Sequence, residues 1–180
     1  IFKTKKNSGT CAHPRNLGIK KSAGSIICFC DSDDLWEKNK LELQIKKLKN
    51  KNTIVATAAK YFATNYKSSY LINIFRRFLQ IINFKKINKD GFQWLYVYNP
   101  VIISSVMMNK EILKKNFFDE DKNTREDLDL WIRLKKKRYK FYFLNKILVR
   151  IRRTNASMSA NIKKELIVVI NSLSNTYLKL

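Results

Sequence analysis

A chain of 180 residues with 45% hydrophobic and 12% aromatic content is long enough for one domain with a core, and that composition argues against a disordered polycation. Its 37 Lys and Arg against 14 Asp and Glu give a formal net charge of +23. No run of about eighteen apolar residues is present, which argues against a membrane-spanning helix, and no signal-peptide pattern opens the chain.

In chain order, Ile1-Phe2-Lys3 stands where an initiator Met is expected, which reads as a piece of a longer product. Residues 15–22 predict a helix stopped at Gly24. Ile26-Ile27-Cys28-Phe29-Cys30 is a short, bounded apolar run that predicts a buried strand. Cys28 and Cys30 share one face of it, opposite Phe29, and read as small buried hydrophobes. With three cysteines the count is odd, which argues against a disulfide framework and for a reducing, cytoplasmic setting. The strand runs directly into Asp31-Ser32-Asp33-Asp34. Leu41, Ile45 and Leu48 then recur at helical spacing and predict an amphipathic helix over 37–49.

Residues 53–58 predict another strand, 61–90 show no clean period, 101–108 read as a strand and 110–115 as a short helix. A helix is expected from Glu126, capped by Thr124 and carrying Leu128, Trp131 and Ile132 inward. Ile147, Val149 and Ile151 alternate with Lys146, Arg150 and Arg152 on a late strand. A polar loop over 154–159 leads to a terminal helix over 162–178. Strands alternating with helices predict an α/β domain with a mostly parallel sheet.

The acids are unevenly spread. Ten of the fourteen fall in two islands, 31–37 and 119–129. Crowding like charges costs energy unless a cation, a helix N-terminus or solvent compensates. The lysines have a plainer origin: 28 of the 37 basic residues are Lys and 9 Arg, beside abundant Asn and Ile, all favoured by A/T-rich codons. Scarce Arg counts against a surface selected for phosphate recognition, so no nucleic-acid partner is expected.

Each island has two readings. An apolar strand ending in Asp-Ser-Asp-Asp sets carboxylates at the carboxyl edge of a sheet, where open α/β sheets bind ligands. Asp31 and Asp33 can converge there on a hard cation such as Mg²⁺, which takes one or two protein carboxylates and completes its shell with water and phosphate. Alternatively, Asp33 or Asp34 caps the following helix. In the second island, Thr124-x-x-Asp127 resembles a capping box; the other reading is an ionised general base near an acceptor hydroxyl.

Order and spacing across the chain carry more than any single block. Asn7-Ser8-Gly9 precedes Ala12-His13-Pro14-Arg15-Asn16-Leu17-Gly18-Ile19 and Ala23-Gly24; then come Phe29-Cys30-Asp31-Ser32-Asp33-Asp34-Leu35-Trp36 and Lys40-Leu41-Glu42-x-Gln44. Ser104-Ser105-Val106-Met107, Glu126-Asp127-Leu128-Asp129-Leu130-Trp131 and Arg152-Arg153-x-x-x-Ser157-Met158-Ser159 follow. This succession resembles family 2 glycosyltransferases of the GT-A fold over most of the chain, about 61–90 excepted.

The resemblance implies a single GT-A (Rossmann-like) domain over 1–180. Residues 1–60 would be its nucleotide- and metal-binding part, 61–160 its acceptor-side and catalytic part, and 161–180 a C-terminal helix. It implies an inverting transfer of a sugar from a nucleotide-diphosphate sugar to an acceptor hydroxyl, on a glycan or lipid-linked acceptor, in polysaccharide or glycan biosynthesis. Asp127 matches the catalytic base, with Glu126 beside it. Arg15, Asn16, Asp31 and Arg152 match nucleotide-sugar contacts, and Asp33 with Asp31 matches the ligands of Mg²⁺ or Mn²⁺. The expected location is cytoplasmic, with peripheral contact at the inner face of the membrane allowed.

Departures are visible. The opening strand and Asp-Asp-Gly-Ser-type turn of the family are absent, so the chain reads as N-terminally truncated. Ala12-His13-Pro14 replaces small residues, His13 reads as a surface or turn residue, and Thr154 stands where many relatives carry His. Phe92, Trp94, Tyr96 and Tyr98 suit either a core or a sugar-stacking face. The competing function is a basic module binding nucleic acid or anionic membrane, or an inactive fragment.

Overall fold

A computed structural model describes residues 7–62, 80–81, 84–85, 95, 99–122 and 125–152. The expected Thr124 cap, the aromatics Phe92, Trp94, Tyr96 and Tyr98, the 154–159 loop and the terminal helix lie outside these residues.

Helix α1 spans Ala12–Lys21 and begins three residues before the expected 15. Pro14 falls in its first turn, where a missing N–H leaves no helical bond unmade. Its buried residues, Ala12, Asn16 and Ile19, follow helical spacing and face the core. Strand β1 is Ile26–Cys28. Ile27 and Phe29 are buried, whereas Cys28 is half-buried and Cys30 exposed. The buried-cysteine expectation is thus corrected: the core lies on the opposite face, and the strand ends at Cys28.

Strand β2, Leu35–Trp36, was not foreseen. Helix α2 is Lys40–Ile45, shorter than the expected 37–49, and its orientation inverts the sequence pattern. Leu41 and Ile45 are exposed while Lys40 and Gln44 are fully buried. Hydrogen bonding explains half of this. The Gln44 side-chain amide donates to the carbonyls of Val55 at 2.9 Å and Ser105 at 2.8 Å. An apolar residue there would leave buried acceptors unpaired, each costing about 1–3 kcal/mol.

Strand β3 (Thr53–Phe62) is buried continuously from Thr53 to Ala58. In place of a strand over 101–108, a 3-10 turn at Ile103–Ser105 precedes a short β4, Met107–Asn109. Helices α3 (Lys110–Lys114) and α4 (Glu126–Lys136) lead to β5, Lys140–Arg152. The described strands form one sheet in the order β1-β4-β3-β5-β2. It is mixed where a mostly parallel sheet was expected. Strands β3 and β5 pair in parallel, joined by a long crossover containing helices, while β1–β4, β3–β4 and β2–β5 are antiparallel. Register shifts around Ala58 explain why Leu148 and Val149 are both buried and the simple alternation on β5 fails. Trp131 of α4 anchors the core: it is fully buried, donates from Nε1 to the Val101 carbonyl at 2.9 Å, and meets Phe141 edge-on.

Candidate active site

Residues distant in sequence meet at the end of β1. The turn after that strand is closed by the Asp34 N–H donating to the Asp31 carbonyl at 3.0 Å. Arg15, on the first turns of α1, faces it. One guanidinium nitrogen donates to Asp31 Oδ1 at 2.9 Å and another to Glu126 Oε1 at the start of α4. The two acidic islands are therefore joined through one cation, and Glu126, buried at 8% exposure, is neutralised there. Burial opposes the Arg15 charge, but Asp31 and then Glu126 outweigh it and push the guanidinium up.

Asp127, next to this pair, is partly buried. Its Oδ1 accepts the Leu128 N–H at 2.7 Å, and Asn99 Nδ2 approaches Oδ2 at 3.4 Å. Loss of solvent, reinforced by Glu126, raises its carboxyl to about 6. At neutral pH it is ionised yet close enough to neutrality to take a proton, the condition for a general base. The preceding residue, Arg125, holds a left-handed φ of 60°. Non-glycine residues seldom adopt that conformation, and it recurs beside functional groups.

Asp33 is exposed, and among the described residues its carboxylate has no hydrogen-bond or ion-pair partner. The rest of the turn is held firmly. Ser104 Oγ accepts the Asp31 N–H at 3.1 Å and bonds the Asp34 carboxylate, which also accepts the Arg152 N–H at 3.2 Å. Burial raises the Asp34 carboxyl, against those two bonds. Asp34 thus stitches the turn to β5. Arg152 also donates from Nε to the Asp33 carbonyl at 3.2 Å and lies over the Phe62 ring.

Asn16, expected to contact the nucleotide, bonds within the chain. Its amide exchanges two 2.9 Å hydrogen bonds with the Phe118 backbone and donates to Glu120 at 2.8 Å. At 3% exposure it ties α1 to the segment before α4. Glu120 also bonds His13, and Asp129 pairs with Arg133 at 2.7 Å, so the second island divides among several cations and donors. Among the described residues, no group of three or more His, Cys, Asp or Glu side chains is arranged to hold a metal by itself. Asp33 with the second oxygen of Asp31 still suits a hard cation that takes one or two carboxylates and shares the ligand's phosphates. Ser104 and Asn99 are residues here to which sequence reading gave no role, and Asp34 was read only as a helix cap; Ser104 stood in a quoted block, but only the fold shows what it bonds.

Comparison with known proteins places the chain in a family. The family model described as "Glycosyltransferase like family 2" matches residues 3–170. An uncharacterised glycosyltransferase of Rickettsia bellii is 37% identical over 128 residues, 71% of this chain and 17% of that protein. The putative teichuronic acid biosynthesis glycosyltransferase TuaG of Bacillus subtilis is 27% identical over 86% of this chain and 57% of its own length. The amylovoran biosynthesis glycosyltransferase AmsB of Erwinia amylovora is 26% identical over 74% of this chain and 44% of its own length. Among solved structures, S. aureus TarS in complex with UDP-GlcNAc superposes with a TM-score of 0.59 at 17% identity, covering 97% of this chain and 48% of that one. That likeness establishes the α/β fold as the GT-A type. The chain therefore spans between about a sixth and three-fifths of the proteins it matches. A family match over nearly the whole chain, together with a shared fold, leaves one classification: the chain belongs to the family 2-like glycosyltransferases.

Proposed function

We propose that this chain carries the donor-binding and base-bearing part of an inverting glycosyltransferase, moving a sugar from a nucleotide-diphosphate sugar to an acceptor hydroxyl. The observation that carries the reading is Arg15, which holds Asp31 and Glu126 together and so sets Asp127 beside the acidic turn. TarS has been crystallised with UDP and UDP-GlcNAc, which supports a nucleotide-sugar donor. The names of TuaG and AmsB support a role in polysaccharide biosynthesis, for which we propose a glycan or lipid-linked acceptor. No helix among the described residues is long and apolar enough to cross a membrane. The net charge of +23 supports peripheral contact with an anionic inner membrane face from a cytoplasmic location.

In this mechanism the donor diphosphate lies over the turn 31–34. Asp33, with Asp31, would hold Mg²⁺ or Mn²⁺, which supplies electrostatic stabilisation of the departing diphosphate when bound. Arg152 lies against the same turn, and Arg15 offsets the charge of the buried Glu126. Asp127 takes the proton of the acceptor hydroxyl while that oxygen bonds the anomeric carbon from the face opposite the leaving group. The anomeric carbon–phosphate oxygen bond breaks, and the nucleoside diphosphate leaves with its electron pair.

Isothermal titration of UDP and UDP-sugars against the full-length protein, with and without Mn²⁺, tests this. Binding is expected only with the cation and is expected to disappear in Asp33→Ala. Binding that ignores both the cation and Asp33 would end the donor-site reading.

A further inference from the structure

The inverted face of α2 leaves one buried group unexplained. Lys40 is fully buried, and among the described residues its Nζ has no hydrogen-bond partner. Burying an ammonium without a partner is costly, and an apolar side chain of the same length would fill the space without that cost. What the ammonium does meet is the face of Trp36, 3.8 Å from the ring centroid. Cation–aromatic attraction is strongest for Trp and when solvent is excluded.

Trp36 is the first link of a chain leading to the acidic turn. Its Nε1 donates to the Ser104 carbonyl at 2.9 Å. Ser104, itself fully buried, accepts the Asp31 N–H through its hydroxyl and bonds Asp34. Gln44, one helical turn beyond Lys40, donates to the carbonyl of neighbouring Ser105. The buried polar face of α2 and the ring it supports therefore hold the 3-10 turn on which the acidic turn rests.

We infer that Lys40 is a positioning residue: its ammonium fixes the Trp36 indole, and through Ser104 the indole sets the backbone that presents Asp31 and Asp33. The inference rests on the donor-site reading for its functional consequence, though not for the positioning itself. Burial pushes the Lys40 ammonium down to about 8, with the nearby Cys28 and Cys30 thiols opposing, so it remains mostly charged at neutral pH. The charge is thus available to the ring under ordinary conditions.

Lys40→Met on the full-length protein separates positioning from space filling. Removing a buried charge while keeping the volume should leave the melting temperature unchanged or higher. Amide exchange in residues 31–36, followed by mass spectrometry, should accelerate about thirtyfold, the scale of a desolvated cation–aromatic contact. Mn²⁺–UDP affinity should fall by a similar factor, with partial recovery in Lys40→Arg. Trp36→Phe, which keeps a ring but removes the indole N–H, should also loosen 31–36. Unchanged exchange at 31–36 in Lys40→Met overturns the inference. If the turn loosens while even the wild type ignores Mn²⁺–UDP, positioning stands and the donor-site reading fails.

Discussion

Asp127 concentrates opposing demands in one carboxylate. Its folded value of about 6 lies above the usual aspartate value of 3.8, so protonation favours the fold. The stabilising contribution is complete below about 4 and lost as pH rises through about 6. At pH 7 the ionised group therefore costs stability, and Asp127→Asn is expected to raise stability by about 1–3 kcal/mol in urea unfolding. The same change removes the proposed base and should lower transfer roughly 10²- to 10⁴-fold. In the wild type, turnover should fall as pH drops through about 6, and the limb should be absent from the residual rate of Asp127→Asn. Arg15 has the opposite profile. Removing it leaves Glu126 buried beside Asp31 and Asp127 without its cation, so Arg15→Ala should cost about 3–5 kcal/mol by chemical denaturation.

At the scale of elements, α2 shows where periodicity misleads. Leu41 and Ile45 carry the helical apolar spacing, yet they point outward, and Lys40 and Gln44 point in. What decides the orientation is the pair of interior carbonyls, on Val55 and Ser105, that only a side-chain donor can satisfy. Leu41→Gln should then change stability by less than about 0.5 kcal/mol, whereas Gln44→Leu should cost about 1–3 kcal/mol by thermal or urea unfolding. Helix α1 shows a related division. Arg15 and Asn16 are adjacent, but Arg15 faces the acidic turn while Asn16 locks the helix to Phe118. One residue supplies charge and its neighbour holds that charge in place.

Across the whole molecule, the +23 charge and the acidic turn act on different ranges. Screening over about 8–10 Å at ordinary salt leaves an exposed lysine field sensitive to ionic strength and close contacts much less so. Adsorption of the full-length protein to anionic vesicles should therefore fall steeply between about 50 and 300 mM salt. Mn²⁺-dependent UDP binding should weaken far less, and only the latter should vanish with Asp33→Ala. Vesicle binding that persists unchanged at high salt would point to apolar insertion instead.

The sequence by itself determined the helix of Glu126–Lys136, the short helix after Asn109, the strand entering the acidic turn and the ordered blocks that define the family. These follow from local rules: side-chain periodicity, capping and the spacing of charged residues along one chain. Only the tertiary structure decided that Arg15 joins Asp31 to Glu126, that Asn16 is a tie, that Lys40 lies beneath Trp36 and that the sheet is mixed. Those outcomes depend on which buried acceptor or charge must be satisfied across a hundred residues of chain, and that requirement exists only once the elements have packed.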